Sequence, residues 1–83
     1  MATSGKNSRV VAELERFFSP GNPGYGKQYT ALALATRLRF SENSIRGAIT
    51  ALTKKGWTDT TDDDPELGRF HRLTPPLDKR VAA

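Results

Sequence analysis

Three stretches of this 83-residue chain carry residue types capable of chemistry. Gly21-Asn22-Pro23-Gly24-Tyr25-Gly26-Lys27 has the form glycine, four residues, Gly-Lys, which elsewhere wraps phosphates in backbone amides. That loop needs a preceding strand and a following Ser or Thr for magnesium. Gln28 occupies that last place and no strand pattern precedes it, so the segment reads as a breaker-rich interhelical loop. His71 is the sole histidine, with Asp59 near it in the hairpin pattern. A triad would also need an activated nucleophile, and none is singled out; His71 reads as a half-buried structural residue beside Phe70. Asp62-Asp63-Asp64-Pro65-Glu66 offers hard oxygen ligands, but a charge run on a turn is most simply a solvated surface. No catalytic residue, metal site or cofactor is expected, and the chain does not read as an enzyme.

What remains is recognition chemistry on the segment that begins at Ser41. Ile45, Ile49 and Leu52 recur at helical spacing. At about 100° per residue they fall within about 40° of one another and face a core. Asn43, Arg46, Gly47, Thr50 and Lys54 then gather on the opposite side, which carries no acid and is about as wide as a major groove admits. Arg46 suits the paired acceptors of a guanine edge, and Asn43 the donor and acceptor of an adenine edge. Ser44 and Thr50 are short enough for close approach. Lys54, Arg37 and Arg39 lie where they would meet phosphates, which position a protein without reading sequence. The amides that open the preceding helix, around Thr30, add a further phosphate site. Gly47 costs a helix interior roughly 1 kcal/mol relative to Ala, and its small size suits close approach of DNA or of another chain.

The elements that must position these residues follow from pattern. Residues 1–7 are polar and read as a flexible arm. From Ser8, a plausible N-cap, Val10, Val11, Leu14, Phe17 and Phe18 mark a first helix that ends before Ser19-Pro20-Gly21. Lys27-Gln28-Tyr29 has room for a short strand. Thr30 caps a second helix with Leu34, Ala35 and Leu38 inward, and Ser41 caps a third that stops at Gly56. Residues 57–61 and 69–74 read as two strands, with 62–68 as the turn between them. The expected domain is therefore α+β and mostly α, spanning residues 8–75, with 76–83 as a C-terminal tail.

The succession Thr30, Leu34-Ala35, Leu38, Phe40-Ser41, Ile45, Ile49, Leu52, Gly56 and Trp57 resembles the helix-turn-helix core of MarR- and PadR-type regulators. Gly68-Arg69-Phe70-His71-Arg72-Leu73-Thr74-Pro75 is similar to the second wing strand of those families. The resemblance covers about residues 30–75. It implies a winged helix-turn-helix, three helices followed by a two-stranded β-hairpin wing, whose third helix enters the major groove. In those families a basic wing tip often enters the minor groove. Here the tip is acidic, so either it points away from DNA, or contacts come from its stem through Arg69 and Arg72, or it meets a basic protein surface.

Charge distribution agrees in part. The net charge is +4, but residues 1–58 hold nine Lys and Arg against three Glu, while residues 59–68 hold five acids and no base. A basic helical region suits a polyanion, whereas the acidic wing tip would be repelled by phosphates. With no cysteine and no long apolar segment, neither disulfides nor a membrane span is expected. The location expected is cytoplasmic, or nucleoid-associated if the source is bacterial or phage. The leading expectation is a sequence-specific DNA-binding regulator, repressor-like, acting on double-stranded DNA as a homodimer. One alternative is a protein-interaction adaptor using Asp62, Asp63 and Asp64. Another is the DNA-targeting domain of a replication, excision or DNA-translocation machine.

Overall fold

In a computed structural model of the chain, residues 2–77 are described, with side chains from Ser8 to Leu77. Most of the expected C-terminal tail (78–83) lies outside the described residues, as do Met1 and the side chains of the expected N-terminal arm. The first helix, α1, spans Ala2–Phe17 and so starts well before Ser8, which is therefore not its N-cap. Its core face is formed by Val10, Leu14 and Phe17, continued by Phe18, while Val11 is half-buried against the same cluster.

The loop after α1 folds back over the end of that helix. Gly24 N–H donates to the Phe17 carbonyl at 3.1 Å. A Cβ on Gly24 would lie 2.5 Å from the Phe17 ring and 2.8 Å from its carbonyl oxygen. Only glycine fits there, and the amides of Asn22, Gly24, Tyr25 and Lys27 are spent on carbonyls of the loop and the helix end.

A short strand, β1 (Tyr29–Thr30), leads directly into α2 (Ala31–Leu38). Thr30 is the N-cap, its hydroxyl accepting the Ala33 amide at 3.1 Å. Ala31, Leu34 and Ala35 are buried. The helix ends at Arg39, a non-glycine residue in the left-handed region (φ 65°, ψ 49°), and Phe40 N–H reaches back to the Ala35 carbonyl at 3.0 Å.

After that tight turn α3 runs Glu42–Lys54 with Ser41 as N-cap. Ile45, Ala48, Ile49 and Leu52 are buried, as the spacing requires. Gly56, at φ 101°, closes the helix. Gly56 N–H bonds the Thr53 carbonyl and Trp57 N–H bonds that of Leu52, with Trp57 and Leu52 both buried, which is the Schellman arrangement.

The remaining chain forms β2 (Thr58–Asp64) and β3 (Gly68–Thr74), an antiparallel hairpin. β1 joins the other side of β3, with Tyr29 opposite His71 and Thr30 opposite Phe70. The sheet is thus three-stranded in the order β1-β3-β2: the short strand for which residues 27–29 left room forms at Tyr29–Thr30 and joins the two-stranded hairpin. The expected turn at 62–68 is also corrected, because Asp62, Asp63 and Asp64 belong to β2, opposite Phe70, Arg69 and Gly68. Aspartate is a poor strand former, but two local contacts outweigh that preference. Arg69 Nε donates to Asp63 at 2.7 Å, and Asp64 Oδ1 accepts the amides of Glu66 and Leu67 at 2.8 Å each.

The chain is a small α+β domain of three helices and a three-stranded antiparallel sheet. Its core joins α1, α2 and α3 to Trp57 and Leu73, and Pro75 is also fully buried. Lys55 Nζ meets Glu15 Oε2 at 2.8 Å and ties the end of α3 to α1. Among the described residues, no helix is long and apolar enough to cross a membrane.

Candidate nucleic-acid interface

The candidate surface is the outer face of α3. Its orientation is set by the buried row Ile45, Ile49 and Leu52 and by the cap at Ser41. Ser41 Oγ accepts the Ser44 amide at 3.1 Å and donates to Ser44 Oγ at 2.8 Å. Asn43, Arg46, Gly47, Thr50 and Lys54 are all exposed and share that face. Gly47 has nothing within 4 Å of where a Cβ would stand, so no packing within the chain demands a glycine there.

Ser44 differs from its neighbours. It is half-buried and its hydroxyl is engaged in the cap. With Val11, Asn43, Gly47, Ala48 and Ala51 it lines a cleft of about 130 Å³ between α1 and α3. Asn43 and Gly47 border the same cleft but stay exposed, so half-burial and a committed hydroxyl make Ser44 the least available of the base-reading candidates. Thr50 donates its hydroxyl to the Arg46 carbonyl at 3.2 Å, which leaves the hydroxyl oxygen able to accept.

The face was expected to be free of acid, and here the structure corrects the sequence reading. Arg46 Nη2 donates to Glu42 Oε2 one turn earlier. The pair is exposed, with 60% of the arginine side chain and 40% of the glutamate accessible. The pair has the i, i+4 Glu–Arg spacing that brings two side chains together on one helix surface.

The phosphate candidates differ in what holds them. Arg39 and Lys54 are exposed and take part in no ion pair among the described residues. Arg37 lies over the Phe17 ring, its guanidinium carbon 5.3 Å from the centroid, which anchors it toward α1. Thr30 has its hydroxyl committed to the Ala33 amide. Arg69 and Arg72 are three positions apart on one strand and so project from opposite sheet faces. Arg69 is held by Asp63, whereas Arg72 is exposed and enters no ion pair among the described residues.

The hairpin tip remains acidic. The hydrogen bond from Arg69, with its positive charge, holds the Asp63 carboxyl below the usual aspartate range. The Leu67 and Glu66 amides do the same for Asp64. Both carboxylates thus close the hairpin on itself, and Asp62 is exposed on the same strand. On the sheet, His71 Nδ1 donates to the Asp59 carboxylate. The pair joins β2 to β3 and so belongs to the sheet.

No protein-family model matches the chain, and no curated protein and no solved structure matches it. The functional reading that follows rests on the chain's own residues.

Proposed function

We propose that this chain is a winged helix-turn-helix domain that binds duplex DNA sequence-specifically, with α3 in the major groove. The observation that carries this reading is one helix face. Asn43, Arg46, Gly47, Thr50 and Lys54 are all exposed on α3, opposite a buried apolar row, and α2 precedes that helix across a tight turn. In the proposed complex Arg46 and Asn43 read base edges. Arg39 and Lys54 contact phosphates and fix the register. Arg72 supplies the contact from the wing, because it enters no ion pair among the described residues while Asp63 offsets the charge of Arg69. The role is binding without a catalytic step, that of a small repressor-like regulator in the cytoplasm. Homodimerisation supplies what one module lacks, since a single small domain buries only about 600 to 1,000 Å² on DNA.

Substitution of Arg46 tests the assignment. Arg46→Ala should cost about 1–3 kcal/mol of specific binding and relax preference at one position. Unchanged affinity and preference would remove Arg46, and the face built around it, from the interface.

A second reading, a protein-interaction adaptor, is favoured by two exposed features of the hairpin, the acid of Asp62 and, at the tip, Leu67, which is 67% exposed. An adaptor would lose its partner on Asp62→Lys. A DNA-binding domain would instead bind duplex more tightly, because a phosphate-repelling charge is gone.

A further inference from the structure

We infer that Glu42 is a specificity-determining residue of the α3 surface, holding Arg46 so that the two side chains read one base pair together. The inference rests on the duplex-binding reading above. Glu42 is the only acid between residues 16 and 58, in the middle of the basic part of the chain. Its carboxylate accepts from Arg46 Nη2, and both side chains reach solvent. The helix cap does not require it, since Ser41 accepts the Ser44 amide and Ser44 fills the position where a capping box would place Glu or Gln.

In water such an exposed pair adds little to stability. Against a base edge its consequences are larger. A guanidinium has five N–H donors in a rigid fork. One is given to Glu42, which leaves others for the O6 and N7 acceptors of guanine. Holding the fork also removes rotamer freedom that binding would otherwise have to remove. The carboxylate has a second oxygen, and a cytosine N4 amine is its matching donor in the groove. The ligand chemistry is therefore a G·C pair under the first half of α3. Glu42 also opposes the competing use of Arg46 as a phosphate contact, because a carboxylate close to the backbone is repelled by it.

The test uses the full chain and a duplex site selected from a randomised pool by the unsubstituted protein. Affinities are measured for that site, for the same site with the contacted G·C changed to A·T, and for unrelated duplex, at low and near-physiological salt. Glu42→Gln should bind unrelated duplex more tightly, with a steeper salt dependence, while discrimination between the two sites falls on the order of tenfold, the worth of one bidentate contact. In an Arg46→Ala background, Glu42→Gln should no longer alter discrimination. Misfolding weakens all duplexes together, so opposite changes in affinity and discrimination cannot come from it. If Arg46→Ala relaxes the preference and Glu42→Gln leaves it intact, Glu42 is only a helix-dipole acid, and the inference is overturned while the DNA reading stands. If the unsubstituted chain binds no duplex, or Arg46→Ala changes nothing, the DNA reading fails first and takes the inference with it.

Discussion

His71 and Asp59 are joined across the hairpin, Nδ1 lying 3.0 Å from Oδ2 and 3.1 Å from Oδ1, with only 12% and 16% of their side chains accessible. Asp59 pairs in register with Leu73, two residues from His71, so the contact is diagonal on the sheet face that carries the buried Leu73. It fastens the hairpin close to the core. Asp59→Ala should lower unfolding stability by about 1–2 kcal/mol, because it removes a part-buried hydrogen bond and leaves its partner unsatisfied. His71→Ala should cost a similar amount, and the double variant less than the sum of the two. Urea unfolding measures all three, and additive losses would mean that the pair is not coupled.

The hairpin tip should loosen in acid. Asp63 and Asp64 have carboxyl groups held below their ordinary range by Arg69 and by the Leu67 and Glu66 amides. A folded-state value below the unfolded one means that the stabilisation is complete above about pH 4 and is lost as pH falls through the folded value. In an NMR pH titration the Glu66 and Leu67 amides and the Arg69 side chain should move together below about pH 4, while the helices hold. Midpoints at or above the ordinary aspartate value would show that these contacts do not persist in solution.

Arg39 separates stability from binding. Its left-handed backbone (φ 65°) is one that glycine adopts without strain. Arg39→Gly should leave stability unchanged or raise it by up to about 1 kcal/mol, while weakening all duplexes about equally and making the salt dependence shallower by roughly one phosphate contact. Equal affinity at both salts would show that Arg39 does not touch the backbone of the duplex.

Gly47 makes a comparable test on α3. With open space around it, Gly47→Ala should stabilise the domain by up to about 1 kcal/mol. Gly47→Glu should bind duplex less tightly, because a carboxylate at that position is repelled by the phosphates of the groove. Unimpaired binding by that variant would place DNA elsewhere.

Much of this fold could be read in the sequence where one periodicity governs. Ile45, Ile49 and Leu52, and Val10, Leu14 and Phe17, announce their buried faces through spacing alone, and Thr30 and Ser41 announce the caps. Non-local contacts were less legible. Nothing near Tyr29 signals that it pairs with His71, some forty residues away, and nothing near Gly24 signals the Phe17 ring against it. Asp62, Asp63 and Asp64 read as a turn because strand propensity is weak for aspartate, while the contact with Arg69 that keeps Asp63 in a strand appears only once the hairpin closes. On the candidate site, exposure of the α3 face followed from the wheel. The pairing of Arg46 with Glu42 is present as i, i+4 spacing, which permits the contact without requiring it.

The most direct measurement is an amide chemical-shift titration of the full chain with a mixed-sequence duplex, first at low salt and then near physiological salt. The expected result is a set of shifts gathered on Glu42 to Lys54 and on Arg39, weakening steeply as salt rises. Shifts absent from α3, or confined to the hairpin tip or the chain ends, would contradict a DNA-reading helix and turn the search toward a protein that docks on the acidic hairpin.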